Sequence, residues 1–314
     1  MHTEASCLPS ELFKPIVGMA ALTSTAFYHL VRLNEHDSSV MGLPTGLAKL
    51  DRLLGGLQEG EVTVMAGRPM VGKTALAVEI AANLALAGEN ARRVGILSLD
   101  LIDEWLVIRM LYNRAEVNER DIRDNKLKPH QWSHVVAMAD MLKKSLVFID
   151  DDRESDIDSL CSRIRNLHAQ YKIQIAIIDH LRLPADAAGT SSFCRDATKR
   201  MLDSFKILAK ELSISIVVML ALPPAVASAG ANLPDMSIFL EEAGEGADTV
   251  IALQPEMALE TPRKRAQLLK MITAAIIKHR HGAIGNVPLY FNPTHLRFYP
   301  DPKKKRPVHA AILD

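Results

Sequence analysis

Apolar residues follow two different spacings along most of the chain, and the two spacings alternate. Short continuous apolar runs predict buried strands in five stretches, "EVTVMAG", "RRVGILSL", "LVFID", "IQIAIID" and "ISIVVML". Apolar positions about every three to four residues predict helices between them, in "KTALAVEIAANLALAG", "DEWLVIRMLYNRA", "LKPHQWSHVVAMADMLKKS", "DIDSLCSRIRNLHAQY" and "DATKRMLDSFKILAKEL". Strands that alternate with helices predict an α/β fold with a mostly parallel, twisted sheet and helices on both faces.

The two ends of the chain depart from this alternation. A helical pattern over 19–33 is followed by the linker "EHDSSVMGLPTG" and by "TGLAKLDRLLGGLQEGE", which predicts a short helix closed by Gly55 and Gly56. Near the other end, "ADTVIAL", "ITAAIIKHR" and "NVPLYFNP" predict further strands joined by hairpins, and the basic stretch "PDPKKKRPVH" predicts a solvated terminus. We therefore divide the chain into an N-terminal arm with a linker helix at 1–40, an α/β domain at 41–300 and a basic tail at 301–314.

The longest apolar run near the N-terminus, "IVGMAALTSTAFYHLVRL", does not predict a membrane span. Ser, Thr, His and Arg interrupt it, so it would not fill a bilayer favourably. It also lacks the basic start of a secretory signal. We interpret it as an amphipathic helix that docks on the body of the domain or on a neighbouring subunit, and we expect no membrane partner.

Composition and charge narrow the function classes further. The 314 residues suit one large α/β domain, or one domain with a short appendage. The chain has 37 basic and 37 acidic residues, so no overall field favours a nucleic-acid partner, although a local binding surface remains open. Cys7, Cys161 and Cys194 are scattered, odd in number and without metal-ligand spacing, which indicates buried thiols in a reduced, cytoplasmic compartment.

One strand-to-helix junction carries a phosphate-binding pattern. In "MAGRPMVGKTALAVEIAANLALAG" the motif Gly-x-x-x-x-Gly-Lys-Thr follows a predicted strand and opens a predicted helix, the context that makes a P-loop specific. We expect backbone N–H groups to cradle the β-phosphate of a nucleoside triphosphate, Lys73 to neutralise its β- and γ-phosphates, and Thr74 to hold Mg²⁺. The predicted nucleotide-binding residues of the loop are Gly67, Arg68, Pro69, Met70, Val71, Gly72, Lys73 and Thr74.

A carboxylate at the end of a neighbouring strand is the second requirement of such a site. "IQIAIIDH" supplies Asp179, which we interpret as the Walker B residue that joins Thr74 in holding the Mg²⁺ shell. "LVFIDDD" ends in competing carboxylates at 150–152, but three adjacent negative charges would repel one another at a single Mg²⁺ site. For those residues we prefer a loop and a helix cap before "IDSL".

A third carboxylate, Asp100, ends the stretch "RRVGILSLD", one strand after the P-loop. Two interpretations of Asp100 stay open. It is either a catalytic base that orients the attacking water, or an N-cap for the helix "DEWLVIRML", a role that Asp103 would also fill.

The order of these motifs resembles that in the motor domain of bacterial replicative helicases of the DnaB type. The start of that domain is similar to "GLPTGLAKLDRLLGGLQEGEVTVMAGRPMVGKTALAVEIA". "ILSLDL" stands where the family has a strand ending in Ser-Leu-Glu-Met, and "IAIIDHLRL" where it has Asp-Tyr-Leu-Gln-Leu. The family's long helix with its next strand, acidic Ala-Asp segment and Lys-x-Arg-x-Gly hairpin match "DSFKILAKELSISIVVMLAL", "AGEGADTVIAL" and "IIKHRHGAIGNVPLYF". The similarity covers about residues 42–298.

This resemblance implies that 41–300 is a RecA-like P-loop ATPase, the motor domain of a helicase. Such a motor works as a homo-oligomeric ring, usually a hexamer, with ATP and Mg²⁺ between subunits and single-stranded DNA through the centre. In the family the Lys and Arg of the hairpin reach the neighbour's γ-phosphate, and here those positions are Lys278 and Arg280, which would act in catalysis together with Asp100. We interpret the adjacent His279 and His281 as solvated residues and not as metal ligands.

Several positions depart from the family pattern. The family's catalytic Glu is Asp100 here, one methylene shorter, and its polar γ-phosphate sensor is Ala221, which donates no hydrogen bond. The Walker B neighbours Tyr and Gln are His180 and Arg182, and Leu240 replaces an Arg in a shortened, acidic DNA-contact loop. These changes predict weakened hydrolysis and a weak grip on single-stranded DNA. The short arm predicts no coupling to primase.

Three functions are compatible with this pattern. The leading one is an ATP-dependent DNA helicase or translocase of the DnaB type that acts in DNA replication, with ATP hydrolysis weakened by Asp100 and Ala221. The second is an ATP-binding, weakly hydrolysing subunit that regulates or joins a replicative helicase ring, with a replicative helicase or a loader as its partner. The third, a recombinase or clock-type RecA relative, shares the P-loop but lacks the "KHRHG" hairpin at this position.

Overall fold

A sheet of nine strands runs through the described part of the molecule, which in this computed structural model comprises residues 18–35, 40–182, 192–222, 245–255 and 269–299. The strands are β1 (Val62–Gly67), β2 (Val94–Ser98), β3 (Val147–Asp150), β4 (Ile175–Arg182), β5 (Ser215–Ala221), β6 (Thr249–Pro255), β7 (Lys270–His279), β8 (Gly285–Asn292) and β9 (Arg297–Tyr299). Across the sheet their order is β3-β2-β4-β5-β1-β6-β7-β8-β9.

Most helices in the described part of the chain lie, in sequence, between two consecutive strands. They are α1 (Met19–Glu35), α2 (Ala48–Leu54), α3 (Lys73–Ala85), α4 (Asp103–Ala115), α5 (Glu119–Arg123), α6 (Pro129–Lys143), α7 (Ile157–Tyr171) and α8 (Ser192–Leu212). In chain order, α3 follows β1, α4 to α6 separate β2 from β3, α7 precedes β4 and α8 precedes β5. This succession of strand and helix confirms the predicted α/β class.

The sheet combines a parallel part with an antiparallel part. Six strands, from β3 across to β6, pair in parallel, as helical crossovers between strands require. The strands β7, β8 and β9 then pair antiparallel at one side. The hairpin connections predicted for the C-terminal strands are therefore confirmed for β7 and β8.

Both faces of the parallel part are covered by helices, which explains the continuous apolar runs in its strands. Successive residues of a strand point to opposite faces, and in β1 Val64 packs in the same cluster as α7 and α8. Its neighbour Met65 packs in the cluster that contains α2, α3 and α4. A strand buried on both faces needs apolar residues at every position, so it shows no polar alternation.

Two short elements escaped the sequence prediction. The helix α5 consists of four charged residues and Ile122, and it follows Asn118, whose side chain accepts a hydrogen bond from the Arg120 N–H. The strand β9 has three residues and pairs with β8 across a tight turn. Neither element is long enough to develop an apolar period, so local spacing gave no signal for either.

The predicted helical pattern near the N-terminus is confirmed, because α1 extends over Met19–Glu35. Three of its apolar side chains, Met19, Leu22 and Phe27, are exposed. No helix within the described residues is long and apolar enough to cross a membrane. The docking of this helix on the body of the domain or on a neighbouring subunit stays a prediction, as do the domain limits at 40 and 300. The tail 301–314 lies outside the described residues.

Candidate nucleotide-binding site

The glycine-rich loop joins the end of β1 to the start of α3 and depends on two glycines. Gly72 precedes α3 with φ 101°, a left-handed conformation that favours glycine, and a Cβ there would lie 3.3 Å from Phe298 Cζ. A Cβ on Gly67 would lie 2.7 Å from Val71 Cγ1. Met70 also has a positive φ, 64°, and its side chain is fully exposed. The loop is therefore tightly turned and pointed toward solvent.

Lys73 lies folded back over this loop. Its Nζ donates hydrogen bonds to the carbonyl oxygens of Gly67 and Arg68, both at 3.0 Å, and its side chain is buried. Burial lowers the pKa of Lys73 because the charged form loses water, and the negative charge of Asp179 partly offsets this. The ammonium is thus held by two neutral carbonyl groups, which the oxygens of an incoming phosphate can replace.

Thr74, in the first turn of α3, contacts Asp179, which lies within β4, three residues before the strand ends at Arg182. Thr74 Oγ1 donates to Asp179 Oδ1 at 3.2 Å, and Asp179 is 1% exposed. Burial raises the pKa of Asp179 to about 6, although the Thr74 hydrogen bond and the charges of Arg109 and Lys73 lower it. The two side chains that the sequence predicts as Mg²⁺ ligands are therefore adjacent.

Asp100 lies on the same edge of the sheet as Asp179. Ser98, the last residue of β2, is paired with Asp179, and the Leu99 N–H donates to the Asp179 carbonyl at 2.8 Å. Asp100 itself is exposed, and its charge acts to raise the pKa of Asp179. This position is compatible with a group that orients water at the site.

The alternative interpretation of Asp100 as a helix cap is wrong, as is capping by Asp103. The N-cap of α4 is Ile102, which supplies no side-chain hydrogen bond. Asp103 is already the first helical residue, and its Oδ1 accepts from the N–H of Glu104 at 2.6 Å. Helix α4 starts two residues later than a cap at Asp100 would require.

The competing carboxylates at 150–152 are engaged elsewhere. Asp150 ends β3, and its two oxygens accept from Arg163 Nη2 and Nε at 2.7 and 2.9 Å. Asp156, and not one of these three residues, caps α7 by accepting from the N–H groups of Asp158 and Ser159. The loop was predicted correctly, and the cap lies four residues beyond Asp152.

Ala221 occupies a position beside the phosphate loop. It ends β5 and is paired with Gly67 of β1 and with Arg182 of β4. Its neighbour Leu222 donates its N–H to the Gly67 carbonyl at 3.3 Å. A methyl group therefore stands at a strand end next to the loop, where a longer polar side chain would have access to bound phosphate.

Lys278 and Arg280 lie near the amino ends of the parallel strands, whereas the phosphate loop lies at their carboxyl ends. His279 is paired with Thr249, and Thr249 with Thr63, so these residues are level with the start of β1. With a rise of about 3.3 Å per residue, the six residues Val62–Gly67 of β1 extend over about 17 Å between their first and last Cα atoms. Within one chain these two cations are far from the predicted nucleotide.

The remaining predictions concern two histidines, three cysteines and Leu240. His281 Nε2 lies 2.6 Å from Glu61 Oε1, and its side chain is 59% exposed. His279 is half-buried, and its Nδ1 lies 3.4 Å from the Ala283 carbonyl oxygen. Leu240, Cys7 and the side chain of Cys194 lie outside the described residues, whereas Cys161 is a buried free thiol.

Sequence reasoning missed a buried polar network that joins α3 to α4. Glu79 accepts from Asn113 Nδ2 at 2.8 Å and pairs with Arg114 at 3.5 Å, and Asn113 also donates to the Leu296 carbonyl. The one signal in the sequence was a charged Glu within the apolar helix "ALAVEIAANLALA". Its partners lie more than thirty residues away in the chain, so spacing alone could not identify them.

The sequence also matches a known protein family over most of its length. The family model described as "DnaB-like helicase C terminal domain" matches residues 42–300, which is most of the chain. The chain belongs to this family. The resemblance noted from the motifs is thereby confirmed for this DnaB-like chain.

Curated relatives of this DnaB-like chain are replicative helicases at modest identity. It is 28% identical over 268 residues to the replicative DNA helicase DnaB of Geobacillus stearothermophilus, covering 85% of this chain and 58% of that protein. It is 26% identical over 309 residues to the replicative DNA helicase DnaC of Bacillus subtilis, covering 94% of this chain and 67% of that protein. The DnaB-like chain thus spans less than two thirds of the Geobacillus relative.

Solved structures with the same fold support the architecture. One of them, an isolated ATPase domain, superposes with a TM-score of 0.72 at 21% identity, covering 90% of this chain and 99% of that one. A DnaB-like replicative helicase, solved in a study of its interactions with primase, gives a TM-score of 0.69 at 22% identity, covering 90% and 67%. The predicted RecA-like fold is confirmed for this DnaB-like chain.

Proposed function

We propose that this chain is the motor of an ATP-dependent DNA helicase or translocase that acts in DNA replication. The observation that carries the proposal is that the predicted site is divided between the two opposite ends of the parallel strands. The phosphate loop lies at the carboxyl end of β1, whereas Lys278 and Arg280 are level with its amino end. A site divided in this way is complete only where two copies meet.

ATP is the nucleotide and Mg²⁺ the metal of this proposal. Thr74 and Asp179 fit the metal, because oxygen donors suit a small hard cation and these two oxygens lie 3.2 Å apart. When bound, Mg²⁺ would supply positive charge that neutralises the charge developing on the phosphates. Lys73 exchanges its carbonyl partners for phosphate oxygens, and the loop's N–H groups cradle the β-phosphate. Asp100 orients the attacking water.

Lys278 and Arg280 act in this scheme on the nucleotide of a neighbouring copy. A cation supplied across a subunit interface stabilises charge on the transferring phosphoryl group and contributes roughly 10³–10⁵ in rate. A closed ring gives every copy one neighbour that receives its cations and one that supplies them. We therefore propose a homo-oligomeric ring, a hexamer as the resemblance implies, that encloses single-stranded DNA and holds it weakly.

Steady-state ATP hydrolysis by the purified protein, with and without single-stranded DNA, tests this function. We expect DNA-stimulated turnover that is abolished in the Lys73→Ala variant, followed by strand separation in an unwinding assay. Arg280→Ala should bind nucleotide normally but lose turnover. If nucleotide binds to wild type and no turnover follows under any assembly condition, an active motor is ruled out.

A second function is favoured by Ala221 and Asp100. A methyl group stands beside Gly67 where the family has a polar phosphate sensor, and the carboxylate that orients water is one methylene shorter than the family's Glu. Such a chain would bind ATP, hydrolyse it slowly and join or regulate the ring of a partner replicative helicase or its loader. This alternative predicts tight nucleotide binding without unwinding.

The double variant Asp100→Glu with Ala221→Gln separates the two functions. If the chain is a helicase motor with weakened catalysis, the variant should raise ATP turnover by about tenfold or more while nucleotide affinity changes little. Ala221→Leu serves as the matched control, because it adds volume at the same position without a hydrogen-bonding group. Equal turnover in all three proteins would contradict the assignment of these two positions.

A further inference from the structure

A buried carboxylate anchors the cations at the start of β1. Asp248 precedes β6 and is 1% exposed, and its Oδ1 accepts from both Lys206 Nζ at 2.8 Å and Arg280 Nη1 at 2.7 Å. Its Oδ2 accepts from the Val62 N–H at 3.1 Å. One carboxylate therefore has two cationic partners, which come from α8 and from the residue after β7.

The two cations differ in their access to solvent. The side chain of Lys206 is 24% exposed, whereas that of Arg280 is 50% exposed. The Arg280 backbone is fixed, because its N–H donates to the Asp248 carbonyl at 3.0 Å. The main chain of Arg280 is therefore held in place while half of its side chain is exposed to solvent. Lys206 is more buried and contacts the same carboxylate oxygen.

Because Lys206 and Arg280 share Asp248 Oδ1, the carboxylate keeps a cationic partner when one of the two moves away. An arginine that leaves its only buried carboxylate exposes an uncompensated charge in a region of low polarity, which strongly opposes the movement. Here Lys206 and the Val62 N–H still compensate Asp248 after Arg280 has moved. The departure of Arg280 therefore leaves no orphaned buried charge.

A third cation, Lys278, lies close to Lys206 and Arg280. Lys278 Nζ donates to the Glu245 main-chain carbonyl at 3.1 Å, and the Lys199 side chain contacts the Glu245 carboxylate. Burial lowers the pKa of Lys278 and the positive charges of Lys206 and Arg280 lower it further, whereas the negative charges of Asp248 and Glu245 act to raise it. Repulsion among Lys206, Lys278 and Arg280 is relieved when a phosphate oxygen joins them.

We propose that Lys206 is a resident counterion that allows Arg280 to exchange between Asp248 and a phosphate group presented by a neighbouring copy. The exchange rests on the proposed function, since it assumes that Arg280 reaches a nucleotide across an interface. Lys206 and Asp248 are positioning residues in this scheme, because neither contacts the reacting atoms. Asp248 also joins the cluster to β1, the strand that ends in the phosphate loop of the same chain.

A double-mutant cycle on unfolding tests the counterion part without any need for turnover. If either cation alone compensates Asp248, Lys206→Gln and Arg280→Gln should each lower the thermal midpoint by about 3 °C or less, and the double variant by roughly 10 °C. Lys199→Gln is the matched control on the same helix, and its effect should add to that of Arg280→Gln. Additive effects of Lys206→Gln and Arg280→Gln would overturn the proposal.

Turnover tests the exchange itself. Without Lys206, Asp248 holds Arg280 more tightly, so Lys206→Gln should lower kcat by about tenfold while the nucleotide dissociation constant and KM stay within about twofold. Lys206→Arg should restore kcat, and Lys199→Gln should retain it. If Arg280→Ala loses turnover and Lys206→Gln keeps it, the counterion role is wrong although the proposed function stands. If Arg280→Ala keeps wild-type turnover, the proposed function itself fails and the exchange with it.

Discussion

Asp179 illustrates at the scale of one residue how burial sets charge. It lies within β4 beside Thr74, where the carboxylate has lost nearly all contact with water. Burial raises its pKa from 3.8 to about 6, even though Arg109 and Lys73 act to lower it. The site therefore holds a carboxyl group that ionises close to neutral pH and that gains from a bound cation.

The raised pKa of Asp179 predicts a pH-dependent contribution to stability. Because the folded chain binds this proton more tightly than the unfolded chain, the contribution is fully present below pH 3.8 and is lost as pH rises through about 6. The difference of about two pKa units corresponds to about 3 kcal/mol. In chelator-containing buffer, wild type should lose most of that free energy of unfolding between pH 4 and pH 7, relative to Asp179→Asn.

Urea unfolding of both proteins over this pH range measures the difference, in which the titration of all other groups largely cancels. Curves that run parallel for wild type and Asp179→Asn would show that Asp179 keeps an ordinary pKa.

Gly72 is a second residue whose role depends on local geometry. Alanine there would combine a left-handed backbone at φ 101° with a Cβ 3.3 Å from Phe298 Cζ. We expect Gly72→Ala to cost about 1–3 kcal/mol and to weaken nucleotide binding, because the loop must shift.

Gly88 provides the matched control for this change. Its φ is also positive, 62°, but no atom lies within 4 Å of the position that a Cβ would take. Gly88→Ala should therefore show only backbone strain and normal nucleotide affinity, as measured by thermal unfolding and by titration with a fluorescent nucleotide. Equal losses of affinity in both variants would contradict the geometric explanation.

At the scale of elements, the polar contact between α3 and α4 joins the helix of the phosphate loop to the helix that follows Asp100. Arg114 donates to the Glu79 carbonyl and to Asn83 Oδ1, and it also pairs with the Glu79 carboxylate. Both side chains are largely buried, at 12% and 4% exposure. Removing one partner would leave the other charge buried without compensation.

Arg114→Met should therefore destabilise the fold by about 3–5 kcal/mol in urea unfolding. Arg123→Met is the control, because Arg123 pairs with Glu119 on the exposed surface of α5, and such pairs contribute less than about 1 kcal/mol. Adding Glu79→Gln to Arg114→Met should recover part of the loss. Similar losses for the Arg114 and Arg123 variants would mean that Glu79 is compensated by other groups.

The elements also show which properties the sequence could predict. The long strands and helices and the strand–loop–helix motif at the P-loop are encoded by neighbouring residues, so apolar spacing identified them correctly. The capping of α4 was wrong because Asp100, Asp103 and Ile102 differ in backbone position by only a few residues. The Asp248 cluster was missed because Val62 and Asp248 are separated by 186 positions, and only the folded sheet brings them together.

At the scale of the whole molecule, each chain offers two incomplete halves of the predicted site. Lys73 belongs to one half and Arg280 to the other, and the two halves lie at opposite ends of the parallel strands. A mixture of Lys73→Ala and Arg280→Ala chains therefore creates some interfaces with an intact loop on one side and an intact arginine on the other. Each variant alone contains no such interface.

We expect each variant alone to be inactive in ATP hydrolysis and an equal mixture to regain a clear fraction of wild-type turnover, if the subunits exchange. A mixture of Lys73→Ala with Thr74→Ala is the control, since both changes fall on the same half and no intact interface forms. Turnover by the first mixture that does not exceed that of the control would show that the arginine does not act across an interface.

The two strands at the edges of the described sheet are its shortest, β3 with four residues and β9 with three. A long open edge exposes unpaired backbone groups that can join the edge of another molecule, and short edge strands limit this hazard. Copies of this chain therefore have little opportunity to extend one another's sheet into fibrils. Assembly of copies into the proposed ring must instead use side-chain surfaces, and such a ring closes only if the rotation from one copy to the next returns to the first copy.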